Sequence, residues 1–236
     1  MFDKVEIGRI FGIPVVVDMS LILIIILWGQ SYLTSGDAAA ISYGLLLVAG
    51  LLASILLHEF GHAAAFLYYR VPVSHVELNG MGGLCYPARP MPPDRLPNIA
   101  VLLAGPAVTG ALWLLFSGLE TLLAEAPQQA GPFSGLDRLA GLCWHLSQLN
   151  WWMLLFNLAP SHPLDGGRAL AHALSRWLGH DRAMRLVACT GLLVIVWLVW
   201  EGLQGSYFAF LLAFFLFQAN QQVLSAHTGP RWQRWN

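Results

Sequence analysis

The residues with most chemical potential in this sequence are His58, Glu59 and His62, within His58-Glu59-Phe60-Gly61-His62. On a helix, positions 58 and 62 lie one turn apart on one face, so two imidazoles can grip a single metal ion. Glu59 lies beside that stripe, where a carboxylate can take a proton from water activated by the metal. The alternative is a pair of packed histidines with a stray acid. Ionisable groups surrounded by Leu-rich sequence are costly, however, and mark functional positions.

A catalytic zinc ordinarily has three protein ligands and one open position, so a third must come from elsewhere. Asn157-Leu158-Ala159-Pro160-Ser161-His162-Pro163-Leu164-Asp165-Gly166-Gly167-Arg168 offers a candidate, because two prolines break a helix just before a carboxylate. Asp165 has two readings on spacing alone, a metal ligand or the N-cap of the helix that follows. His162 can compete for the metal or lend it polar support. His75, His145, His172, His180 and His227 match no ligand spacing.

The elements that must position these residues are apolar. The chain of 236 residues is 57% hydrophobic and 11% charged, with a net charge of −1. Globular proteins carry about a quarter charged residues. The charge balance argues against a nucleic-acid partner. Cys85, Cys143 and Cys189 form no paired motif and read as small apolar fillers.

Six stretches approach the roughly 20 apolar residues that cross a bilayer: about 15–34, 44–69, 97–123, 139–158, 184–203 and 206–224. Of the twelve Lys and Arg residues, only Arg138 falls in a connection on the opposite side from the rest. That asymmetry predicts cytoplasmic N- and C-termini. Between spans two and three, residues 71–78 alternate β-branched and polar side chains before Asn79-Gly80-Met81-Gly82-Gly83, which predicts a re-entrant β-hairpin. The expected fold is an all-α polytopic membrane protein of about six transmembrane helices with that small hairpin, forming one domain over residues 1–236 with its catalytic core at about 44–170. Gly50 and Ser54 extend the stripe of His58 and His62, for helix packing or for substrate access. Residues 168–178 read as an amphipathic helix at the membrane interface.

HEFGH in one span and NLAPSHPLDGG ending another resemble the two signature motifs of the site-2 protease family of intramembrane zinc metalloproteases. The resemblance extends to Gly12-Ile13-Pro14-Val15, Gly82-Gly83 and Ala104-Gly105-Pro106. It implies one zinc per chain held by His58, His62 and Asp165, with Glu59 as general base. Asn157 matches a family position that holds substrate or its developing oxyanion; a helix-capping amide is the other reading. The implied substrates are single-pass transmembrane proteins, such as anti-sigma factors or membrane-tethered regulators, cut in a prokaryotic cell membrane among its lipids. Asp18 departs from the family, which often has a histidine there. Relatives often carry PDZ or CBS domains, and this sequence has neither, so spans, loops or a separate adaptor are expected to select the substrate. A catalytically inactive relative acting as a binding partner and a zinc transporter are the rival functions; transporters tend to break helices in two matching halves, and here one break is visible.

Overall fold

The computed structural model describes residues 4–125 and 135–226. His227, Arg231 and Arg234 lie outside the described residues. In chain order the elements are strands β1 (Lys4–Ile10) and β2 (Ile13–Asp18), a 3-10 turn (Met19–Leu21), helices α1 (Ile22–Leu33) and α2 (Ala38–Tyr68), strands β3 (Val73–Asn79) and β4 (Gly82–Pro87), and helices α3 (Arg95–Ala124), α4 (Gly135–Leu158), α5 (Asp165–Leu178), α6 (His180–Leu203) and α7 (Tyr207–Ala226).

The protein is mostly helical, as expected, but its β element is larger than the expected hairpin. The strands form one sheet in the order β1-β2-β3-β4. The expected hairpin is its β3–β4 half, with Asn79 opposite Gly82 across a two-residue loop. Its other half, β1 and β2, runs through residues 15–18, expected to begin the first span. Val15, Val16 and Val17 are stiff, β-branched residues that suit a pleated surface. They pair antiparallel with β1 and parallel with Val76, Glu77 and Leu78. Asp18 ends the strand and caps the next turn, accepting a hydrogen bond from the Ser20 amide at 2.8 Å. Bonds from Ser20 hold the carboxyl of Asp18 below the usual range.

Among the described residues, four helices are long and apolar enough to cross a membrane: α2, α3, α6 and, over Phe208–Ser225, α7. The helix left to the first expected span, α1, has 12 residues. At about 1.5 Å per residue it reaches roughly 18 Å. α4 has the length, with 24 residues, but its polar residues lower its hydropathy. Asp37 starts α2 by accepting from the amides of Ala39 and Ala40 at 3.1 and 3.2 Å. Such caps satisfy amides that the helix leaves without partners.

The chain divides into two compact units, Met1–Met91 with Ala104–Leu154 and Pro92–Leu103 with Leu155–Asn236. The core of the first gathers Leu21, Ile24, Leu51, Ile55 and Leu78, with a second cluster of Ile13, Ala63 and Val76 beneath the sheet. The core of the second gathers Ile195, Leu198, Ala209, Ala213 and Leu216. There α5 and α6 meet through Ala171, Ala183 and Val187. Small residues permit this close approach.

Candidate metal centre

His58, Glu59 and His62 are buried side by side on α2, with their candidate ligand atoms within 4.8 Å of one another. The Nε2 atoms of the two histidines stand 3.2 Å apart. Two nitrogens bound to one tetrahedral zinc at about 2.0–2.1 Å would stand roughly 3.3 Å apart, so the pair fits that ion without rearrangement. An unbranched backbone faces them. A Cβ added to Gly105 of α3 would lie 2.6 Å from His58 Nε2 and would also strike His62. The pair thus opens into space that only glycine leaves free.

Two further glycines close the surroundings. A Cβ on Gly61 would lie 2.7 Å from the Ala104 carbonyl oxygen, which explains how α2 and α3 come so near. A Cβ on Gly83 of β4 would lie 2.8 Å from Glu59 Oε1, so the hairpin lays bare backbone against the carboxylate. The short motifs Gly82-Gly83 and Ala104-Gly105-Pro106 therefore contain the contact surfaces of Glu59 and of the histidines. Cys85, two residues along β4, has its thiol pushed up to about 12 by burial, with the charge of Glu59 adding to the effect.

The sequence reading missed Thr109. Its buried hydroxyl lies 2.7 Å from His58 Nδ1, on the ring edge away from the Nε2 that faces His62. Nothing local signals such a partner; only the helical step from Gly105 to Thr109 places both on one face of α3.

One turn before His58, Ser54 accepts a hydrogen bond at 3.0 Å from Asn150 of α4. Gly50, a further turn back, packs on Leu146. This part of the small-residue stripe therefore serves packing against α4.

Asp165 and Asn157 belong to the second unit. Asp165 is the first residue of α5, and Leu164 occupies the N-cap with φ −61° and ψ 152°. The carboxylate is therefore one position inside the expected cap, in the first turn of the helix. It is 9% exposed. Asn157 lies in the last turn of α4. Among the other histidines, His75 stacks on Tyr86, His145 bonds to Tyr43 and His172 faces His180.

No family model matches the chain. It is 33% identical over 240 aligned residues to Rip3 of Mycobacterium tuberculosis, named as a zinc metalloprotease, covering 94% of this chain and 59% of Rip3. A zinc metalloprotease of Methanocaldococcus jannaschii is 26% identical, with 93% of this chain and 60% of that protein covered. The chain thus spans about three fifths of these relatives' length. In fold it is similar to the site-2 protease from Methanocaldococcus jannaschii, with a TM-score of 0.63, 22% identity, and 93% of this chain and 94% of that one covered. Zinc is the metal that these names and this donor set share. The chain is thus similar in sequence, over nearly all of its length, to proteins named as zinc metalloproteases, and it has the fold of a site-2 protease.

Proposed function

We propose that this chain hydrolyses peptide bonds in or near the transmembrane segments of single-pass membrane proteins, as one protease domain with its core at about residues 44–170. The observation that carries this reading is the buried His58-Glu59-His62 group inside a 31-residue apolar helix. His58 and His62 would hold zinc, with Asp165 as the third ligand from the broken segment after α4. When bound, zinc supplies Lewis-acid chemistry, acidifying water and polarising the scissile carbonyl. Glu59 takes the proton from the attacking water as the carbon–oxygen bond forms. It then gives that proton to the amine nitrogen as the carbon–nitrogen bond breaks. Asn157 donates its amide hydrogens to the substrate carbonyl oxygen, where negative charge develops.

A substrate helix must unwind before this chemistry, since its carbonyls are occupied by helical hydrogen bonds. β4 is an edge strand with its Gly83 against Glu59, which supports capture of the unwound segment by strand addition. The proposed substrates are anti-sigma factors or membrane-tethered regulators in a prokaryotic cell membrane, with a separate adaptor aiding selection.

Six crossings with both termini cytoplasmic remain the reading that the Lys and Arg asymmetry supports, α1 and α4 completing the set formed by α2, α3, α6 and α7. Arg70 follows the end of α2 by two residues. His62 and His58 precede it by eight and twelve residues. At about 1.5 Å per residue the metal would lie roughly 12–18 Å inside the cytoplasmic boundary. Reconstituted protein and its Glu59→Gln variant, given a single-pass substrate, test the whole reading. Mass-spectrometric mapping should find a Glu59-dependent cut in the inner half of the substrate span; no such cut, or one in the outer third, refutes it.

A further inference from the structure

The segment that delivers Asp165 is held from the far end of the chain. Pro160 and Pro163 interrupt the helical path after α4, so the carbonyls around them lose regular helical partners. At membrane depth those carbonyls need replacements from the protein. α6 and α7 supply them. Thr190 Oγ1 of α6 lies 2.8 Å from the Pro160 carbonyl oxygen. Asn220 of α7, fully buried, directs Nδ2 at the His162 carbonyl at 2.8 Å and at Ser161 Oγ at 3.0 Å. Its third neighbour, the Leu216 carbonyl at 2.7 Å, ties the same amide back to α7. Three oxygens around one nitrogen fix which way the amide faces.

The clasp continues into α5. Ser161 accepts from the Leu164 amide at 2.9 Å, and Leu164 accepts from the Arg168 amide at 3.0 Å. A Cβ on Gly167 would lie 2.8 Å from the Ser161 nitrogen, so the first turn of α5 rests directly on the clasped backbone. On α6, a Cβ on Gly191 would lie 2.6 Å from Ser161 Oγ and 2.8 Å from Asn220 Oδ1. The backbone of residues 160–167 is therefore braced on both sides, with Asp165 between the braces.

We propose that Asn220, assisted by Thr190, is a positioning residue of the metal centre: it sets the backbone that presents Asp165, making α6 and α7 part of the catalytic apparatus as well as of the membrane anchor. This rests on the proposed role of Asp165 as third ligand. Both side chains act through the backbone they hold, not as ligands.

The test uses the full chain in detergent. Zinc affinity is measured by competition with a chelator, alongside the melting temperature of the metal-free protein and kcat and KM on a transmembrane substrate. Asn220→Leu keeps the approximate volume and loses the donors; it should weaken zinc about tenfold or more, the range typical for groups that orient ligands. It should also lower kcat more than it changes KM. Thr190→Val should act in the same direction, and Thr190→Ser, which keeps the hydroxyl, should restore what Val loses. If Asn220→Leu fails to fold, the Thr190 pair decides. Variants that melt earlier yet hold zinc and turn over as the wild type does would reduce the clasp to scaffolding and overturn the proposal. Asp165→Asn in the same series separates the two ideas. If it loses zinc while the clasp variants do not, the positioning role alone fails; if it binds zinc normally, the ligand assignment fails and the positioning role falls with it.

Discussion

The hydroxyl of Thr109 stands between His58 Nδ1, at 2.7 Å, and the carbonyl oxygen of Gly105, at 3.2 Å. A hydroxyl has one hydrogen, so Thr109 can donate to Gly105 while offering a lone pair to the ring, or donate to the ring itself. In the first arrangement the imidazole carries its proton on Nδ1 and turns an unprotonated Nε2 toward His62. That is the tautomer in which Nε2 can bind a metal, and the hydroxyl that can support it comes from a different helix.

Thr109→Val removes this acceptor with little change of shape. Zinc affinity should fall roughly 10–100-fold, and Thr109→Ser should keep most of it. Chelator competition on the purified variants checks this, and a Val variant that binds like the wild type would show the tautomer to be set otherwise.

Elemental analysis of the purified wild type should find one zinc per chain. His58→Ala and His62→Ala should each lose it, whereas Glu59→Gln should retain it with no peptide hydrolysis. Retained turnover in Glu59→Gln would remove Glu59 from the role of base.

Gly105→Ala should abolish zinc retention in a chain that still folds, because its methyl would occupy the space before both histidines. Gly83→Ala presses instead on Glu59 and should lower kcat with zinc retained. Metal content and turnover measured together distinguish the two; equal zinc loss in both would contradict the separate placement.

His172 gives a pH signature outside the centre. Burial first, then the nearby His180 and Arg168, hold its pKa below the ordinary 6.5. A depressed folded pKa means that the unfolded chain binds the proton more readily. Its stabilising contribution is therefore complete above about pH 6.5 and is lost as the pH falls through the lower folded value. Melting temperatures between pH 7.5 and 5 should drop less steeply in His172→Gln than in the wild type.

The adjacency of His58 and His62 was legible in the sequence because the helical period brings residues four apart together, and apolar flanks made the charges conspicuous. The β3–β4 hairpin was legible from its turn residues. The β1–β2 half was not, since a short run such as Val15-Val16-Val17 looks alike as strand or as the start of a span. Thr109 and Asn220 carry no local mark, because their partners lie 51 and 58 to 59 residues away. Gly83 and Gly105 were visible as fragments, but the side chains they make room for were not.

The parallel pairing of β2 with β3 also orders events during synthesis. Val15 meets Val76, about sixty residues later, with α1 and α2 between them. A β1–β2 hairpin can form as soon as it emerges, but a parallel partner requires the whole crossover to be made and inserted first. The sheet therefore closes only after the helix bearing His58 and Glu59 has left the ribosome. Until then Glu59 lacks the Gly83 backbone that will lie against it, so the newborn chain holds this carboxylate before it holds the wall that confines it.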